Sequence, residues 1–85
     1  MHRTYAVVVR KMPRNYSADC PDVPGCVATG RTIDETLRRM RSALRMHLRS
    51  LRAGGQGPPP AVTPLSRVVR RDKSADIYTV IRVAA

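Results

Sequence analysis

One segment constrains the fold more than any other. From Ile33 to Leu51 the apolar residues Ile33, Leu37, Met40, Leu44, Leu48 and Leu51 recur at helical spacing. At about 100° per residue they share a band on the order of 80° wide. Thr32 precedes the run and Glu35 follows it by three, which is a capping box, and Asp34 and Glu35 favour the positive end of the helix dipole. Gly54-Gly55 closes the run. A single amphipathic helix over about residues 32–52 has to lay its stripe on another layer. In this chain of 85 residues the strand-like segments around it make that layer a small sheet.

The remaining segments supply it. Tyr5 to Arg10 contains Ala6-Val7-Val8-Val9 and reads as a strand covered on both faces or lying centrally. Lys11 to Asn15 is a turn around Pro13. Tyr16 to Cys20 is a weak second strand, and Pro21-Asp22-Val23-Pro24-Gly25 is a tight loop. Cys26 to Thr29 is a short third strand. Residues 53–63 read as a linker, flexible at its glycines and stiff at Pro58-Pro59-Pro60. Thr63 to Asp76 is polar and basic and predicts loop or a short turn of helix. Ile77 to Val83 is a fourth strand of high β propensity. The expectation is one α+β domain over residues 1–85, ordered β-β-β-α-β, with a small antiparallel or mixed sheet and one helix on one face.

That arrangement leaves the second sheet face uncovered. The alternate side chains of Tyr5 to Val9 and of Ile77 to Ile81 would form an apolar patch there. With three Tyr and no Phe or Trp, the core is also small. Both points predict a homo-oligomer, most simply a dimer, built on the sheet and on an exchanged fourth strand.

Charge narrows the partners. Sixteen Lys and Arg against six Asp and Glu give a formal charge of +10, which favours an anionic partner. Arg38, Arg41, Arg45, Arg49 and Arg52 form a ridge beside the apolar stripe, and Arg67, Arg70, Arg71 and Lys73 form a second cluster. Like charges three or four apart repel, by a few tenths of a kcal/mol per pair. Such a ridge calls for an anion, and Arg pairs with phosphate or carboxylate in bidentate fashion. No aromatic residue interrupts the helix to stack on bases.

Other chemistry finds little support. The acids Asp19, Asp22, Asp34, Glu35, Asp72 and Asp76 are scattered, and none lies in the first strand, so a two-metal nuclease centre is not expected. Two Cys and two His show no zinc spacing, and no cofactor motif occurs. Cys20 and Cys26 read as small buried residues of a hairpin, and His47 as a packed residue on the stripe. No apolar run approaches the roughly 18 residues of a membrane span. The N-terminus lacks the pattern of a secretory signal, so a cytoplasmic protein with free thiols is expected.

The run from Tyr16-Ser17 through Pro21-Asp22-Val23-Pro24-Gly25-Cys26 to Gly30 resembles the signature of HicB-like antitoxins. The Thr32-capped helix with Ala43-Leu44 and His47-Leu48, and the late valine-rich strand, agree with it. The resemblance covers roughly residues 4 to 83. It implies a partial ribonuclease-H-like fold without catalysis. It also implies a partner, a small HicA-type RNA-cleaving toxin whose active surface the antitoxin covers. Many members carry a C-terminal DNA-binding domain, for which a chain stopping at Ala85 has no room. The alternative from the residues themselves is a basic nucleic-acid-binding module that uses the Arg ridge. A degenerate nuclease ranks last.

Overall fold

A computed structural model describes residues 2–84. The elements are β1 (His2–Lys11), β2 (Tyr16–Asp19), β3 (Val27–Gly30), α1 (Ile33–Ala53), α2 (Leu65–Arg71) and β4 (Ile77–Ala84). The four strands form one antiparallel sheet in the order β3-β2-β1-β4. The first strand is therefore central. It pairs with β2 through Val9 opposite Ala18, and with β4 through Tyr5 opposite Ile81.

The unbroken apolar run of β1 has a direct cause. Successive side chains of a strand point to opposite faces, and here both faces are covered. Tyr5, Val7 and Val9 join the main core with Ala18, Ile81 and Val83, against Met40, Leu44 and Leu48 of α1. Ala6 and Val8 face the other way and pack with Val68, flanked by Leu65, Ala75 and Tyr78.

The second layer corrects the sequence reading in one respect. Residues 65–71 form two turns of helix, so the order is β-β-β-α-α-β with two helices. Leu65 and Val68, one turn apart, turn toward the sheet face expected to stay open. Of that expected patch, Val80 remains half exposed. The apolar-face argument for a dimer loses its footing accordingly. The expected linker is also held down. Tyr5 Oη donates to the Pro59 carbonyl at 2.6 Å. The Asp22 carboxylate accepts from the Thr63 amide at 2.9 Å and from the Thr63 hydroxyl at 2.7 Å.

The caps of α1 follow the sequence. The Thr32 hydroxyl accepts from the Glu35 amide at 3.0 Å, and Glu35 Oε1 accepts from the Arg31 amide at 3.1 Å. At the other end the Gln56 amide reaches back to the Leu51 carbonyl and the Gly55 amide to the Arg52 carbonyl, with Gly55 at φ +79°. This is a Schellman closure, which needs a left-handed residue at that position. The Arg31 amide holds the Glu35 carboxyl below its usual range, helped by nearby arginines. The sign follows from linkage. The depressed carboxyl contributes above its unfolded pKa, and the contribution is lost as pH falls through the folded one.

Candidate functional site

The signature hairpin comes first because its residues have visible work. Tyr16 packs against the main core, and Asp19 accepts from Arg10 at 2.5 Å. Between β2 and β3 the Val23 amide bonds the Cys20 carbonyl and the Cys26 amide bonds the Val23 carbonyl. Val23, Cys20 and Cys26 are buried in the core, while Pro21 and Pro24 are exposed and rigidify the loop. Gly25 sits at φ +85°, a conformation that side chains disfavour. Ser17 lies in β2 opposite Thr29. Asp22, as described, ties the loop to Thr63. The hairpin is built by folding requirements, and its Asp is a clasp between two loops.

Both cysteines are free thiols. Burial pushes Cys20 up to about 11 and raises Cys26 as well. Thiolate is the reactive form, so the expected result is slow labelling of the native protein by a disulfide reagent at pH 8. Both thiols should react at once in denaturant. Rapid labelling of two thiols without denaturant would contradict the placement. Cys26 and His47 do line a shallow hollow with Ala43 and Met46, of about 350 Å³. Val27 and Met46 at this hollow are 61% and 70% exposed, so it is an apolar dent on the β3 side of α1. His47 lies on that flank and is half buried.

The carboxylates are mostly engaged elsewhere. Arg10 pairs with both Asp19 and Asp72. Asp72 also accepts from the Ser74 hydroxyl and amide, which hold its carboxyl below the usual range together with Arg10. Asp76 accepts from the Lys11 amide at 2.6 Å, and Glu35 pairs with Arg39 at 3.3 Å. Among the described residues, no group of three or more His, Cys, Asp or Glu is placed to hold a metal ion.

The structure sets the arginine ridge along the β4 side of α1. Arg41 donates to the Arg82 carbonyl on β4 at 2.8 Å, whereas Arg39 donates to the Thr29 carbonyl on the opposite side at 3.1 Å. All five ridge residues, Arg38, Arg41, Arg45, Arg49 and Arg52, are exposed. They do not all line one cleft. Arg45, Arg49 and Arg52 line a cleft of about 490 Å³ with Arg3, Leu48, Gln56, Gly57, Pro58 and Ala84. Arg38 and Arg41 lie outside it. Arg3, Gln56 and Pro58 were not expected at a site. Arg3 carried a legible signal, since it occupies the core-facing register of β1 two residues before Tyr5. The cluster Arg67, Arg70, Arg71 and Lys73 is exposed on and after α2, away from the ridge.

Together these features define a small α+β domain, one sheet with a helix on each face, that has a basic helix flank, a braced hairpin and dispersed carboxylates. The family of HicB-like antitoxins of bacterial toxin-antitoxin systems matches residues 5–84. The chain belongs to that family, which is non-catalytic. The N-terminal domain of Burkholderia pseudomallei antitoxin HicB is 21% identical, with a TM-score of 0.85 over 98% of this chain and 100% of that one. The longer B. pseudomallei HicB structure is 23% identical, with a TM-score of 0.79, and the match takes in 63% of it. The structure of a HicA3 and HicB3 toxin-antitoxin complex matches at 19% identity and a TM-score of 0.70, over 96% of each chain. An uncharacterized 14.9 kDa protein of Haemophilus phage HP1 is 26% identical over 80 residues, and the match spans 93% of this chain and 59% of the phage protein. Among the described residues, no helix is long and apolar enough to cross a membrane.

Proposed function

We propose that this chain neutralises a HicA-type RNA-cleaving toxin in the cytoplasm by covering its active surface. Membership of the antitoxin family over residues 5–84 carries the reading, supported by a relative of the same fold described in complex with HicA3. Inhibition by cover needs a rigid surface and no chemistry of its own. The domain supplies that, because both faces of its central strand are packed and its hairpin is clasped to the linker. The test is co-expression with the product of any small gene adjacent to its own. Rescue of growth together with co-purification is the expected result. Rescue without a stable complex would remove the mechanism.

Self-association stays within this proposal, moved from the covered sheet face to the open edges of β3 and β4. Sedimentation equilibrium at micromolar concentration reads it out, and a monodisperse monomer removes it.

A second reading, nucleic-acid binding through the arginine ridge, has one observation in its favour. Three of the five ridge arginines converge with Arg3 on a concave cleft.

A further inference from the structure

We infer that the cleft between the last two turns of α1, the start of β1 and the Gln56–Pro58 segment binds the phosphate of a nucleotide, with the sugar or base on its apolar floor. The inference rests on the second reading above and sharpens it from a ridge to a built pocket.

The pocket is assembled from three parts of the chain. Arg45, Arg49 and Arg52 follow one another along α1 over about 10 Å of helix axis. Arg3 enters from β1, and the linker forms the third wall. That wall is fixed by the Tyr5 hydroxyl, which donates to the Pro59 carbonyl beside it. The cleft measures about 490 Å³, within the roughly 300–1,000 Å³ of small-molecule sites and large for a bare phosphate ion.

Its chemistry is one-sided. Among the described residues, four guanidinium groups line it and no Asp or Glu side chain does. Arg3 adds a guanidinium from β1, a second element, while its Nε is buried with no hydrogen-bond partner among the described residues. Four positive groups around one opening match the multiple charged oxygens of a phosphate better than a single carboxylate. Leu48 and Pro58 give the cleft apolar area that a free ion would not use. The guanidinium planes can also stack on a base, so aromatic residues are not required.

The same chemistry is offered by a free nucleotide and by an RNA strand, and the two sources are separable. Fluorescence anisotropy of a short labelled single-stranded RNA with the full chain is the primary measurement, with adenosine monophosphate, inorganic phosphate and polyglutamate as competitors. Arg45→Glu with Arg49→Glu should weaken binding at least about tenfold, with a steep salt dependence in the parent protein. Arg3→Gln should do the same. Arg38→Glu with Arg41→Glu, an equal change of charge outside the cleft, should cost at most about threefold. Displacement by adenosine monophosphate assigns free nucleotide, and displacement by unlabelled RNA alone assigns the strand. Either supports the site. Equal losses from both ridge pairs with no effect of Arg3→Gln would overturn the cleft and leave the ridge reading standing. No loss from any of these variants would remove both. Inorganic phosphate competing as well as the nucleotide would refute the apolar floor. Polyglutamate competing equally would make the site one for acidic peptides and overturn the inference.

Discussion

Gly30→Val is expected to destabilise the fold by about 1–3 kcal/mol, toward the upper end of that range. Gly30 ends β3 and is buried against the first turn of α1. A Cβ there would lie 2.6 Å from Thr36 Oγ1, 2.8 Å from the Thr36 amide nitrogen and 3.1 Å from its Cα. Two of these atoms are backbone, and the third is fixed because the Thr36 hydroxyl donates to the Thr32 carbonyl at 2.7 Å. The strand and helix must separate for any side chain to fit, which also strains the capping box. A domain of this length has roughly 4–13 kcal/mol in total, so the loss is a large share. Urea denaturation followed by circular dichroism measures it. Gly57→Ala is the matched control, since no atom lies within 4 Å of a Cβ there. A Gly30 variant with the parent's midpoint would refute the close approach.

Leu44→Ala should cost about 2–5 kcal/mol, the range for truncating a buried leucine without collapse around the cavity. Leu44 is 0% exposed and lies at the middle of the α1 stripe, between Met40 and Leu48. Its neighbours across the layer are strand residues held by ladders on both sides of β1, so they have little freedom to close the gap. Met46→Ala, two positions on and 70% exposed, should change stability by less than about 0.5 kcal/mol. Equal effects at the two positions would mean that the helix is rotated from its assigned face.

Much of this architecture can be read from the residues because local signals and burial agree. The capping box, the six-residue stripe and the glycine closure all describe one helix, and the structure bounds it at Ile33 and Ala53. The continuous Tyr5 to Val9 run correctly indicates a strand buried on both faces. What covers its second face is harder to see. α2 is seven residues long, has no side-chain N-cap, and is arginine-rich. Its contribution rests on Leu65 and Val68, one turn apart after Pro64, a pattern too short to stand out from loop. The hairpin signature identifies a family, yet the work of its Asp22 depends on Thr63, 41 residues away. The ridge was likewise legible as five charges in a row, but its division was not. Which arginines enter the cleft is decided by Arg3 and by a linker pinned through Tyr5, and neither contact is local in sequence.

The placement of the first strand in the centre of the sheet sets a timetable for biosynthesis. β1 finds half of its ladder only in β4, with His2 opposite Ala84 and Val9 opposite Ile77. At roughly 5–20 residues per second, the ribosome leaves β1 waiting for about 4–15 s before that partner is made. Over that interval a β-branched apolar strand has one bare edge, the kind of template that recruits other chains. Pairings so distant along the chain also slow folding after release, because loop closure precedes any gain from contact. The domain therefore matures late, and its central apolar strand is made before the other three.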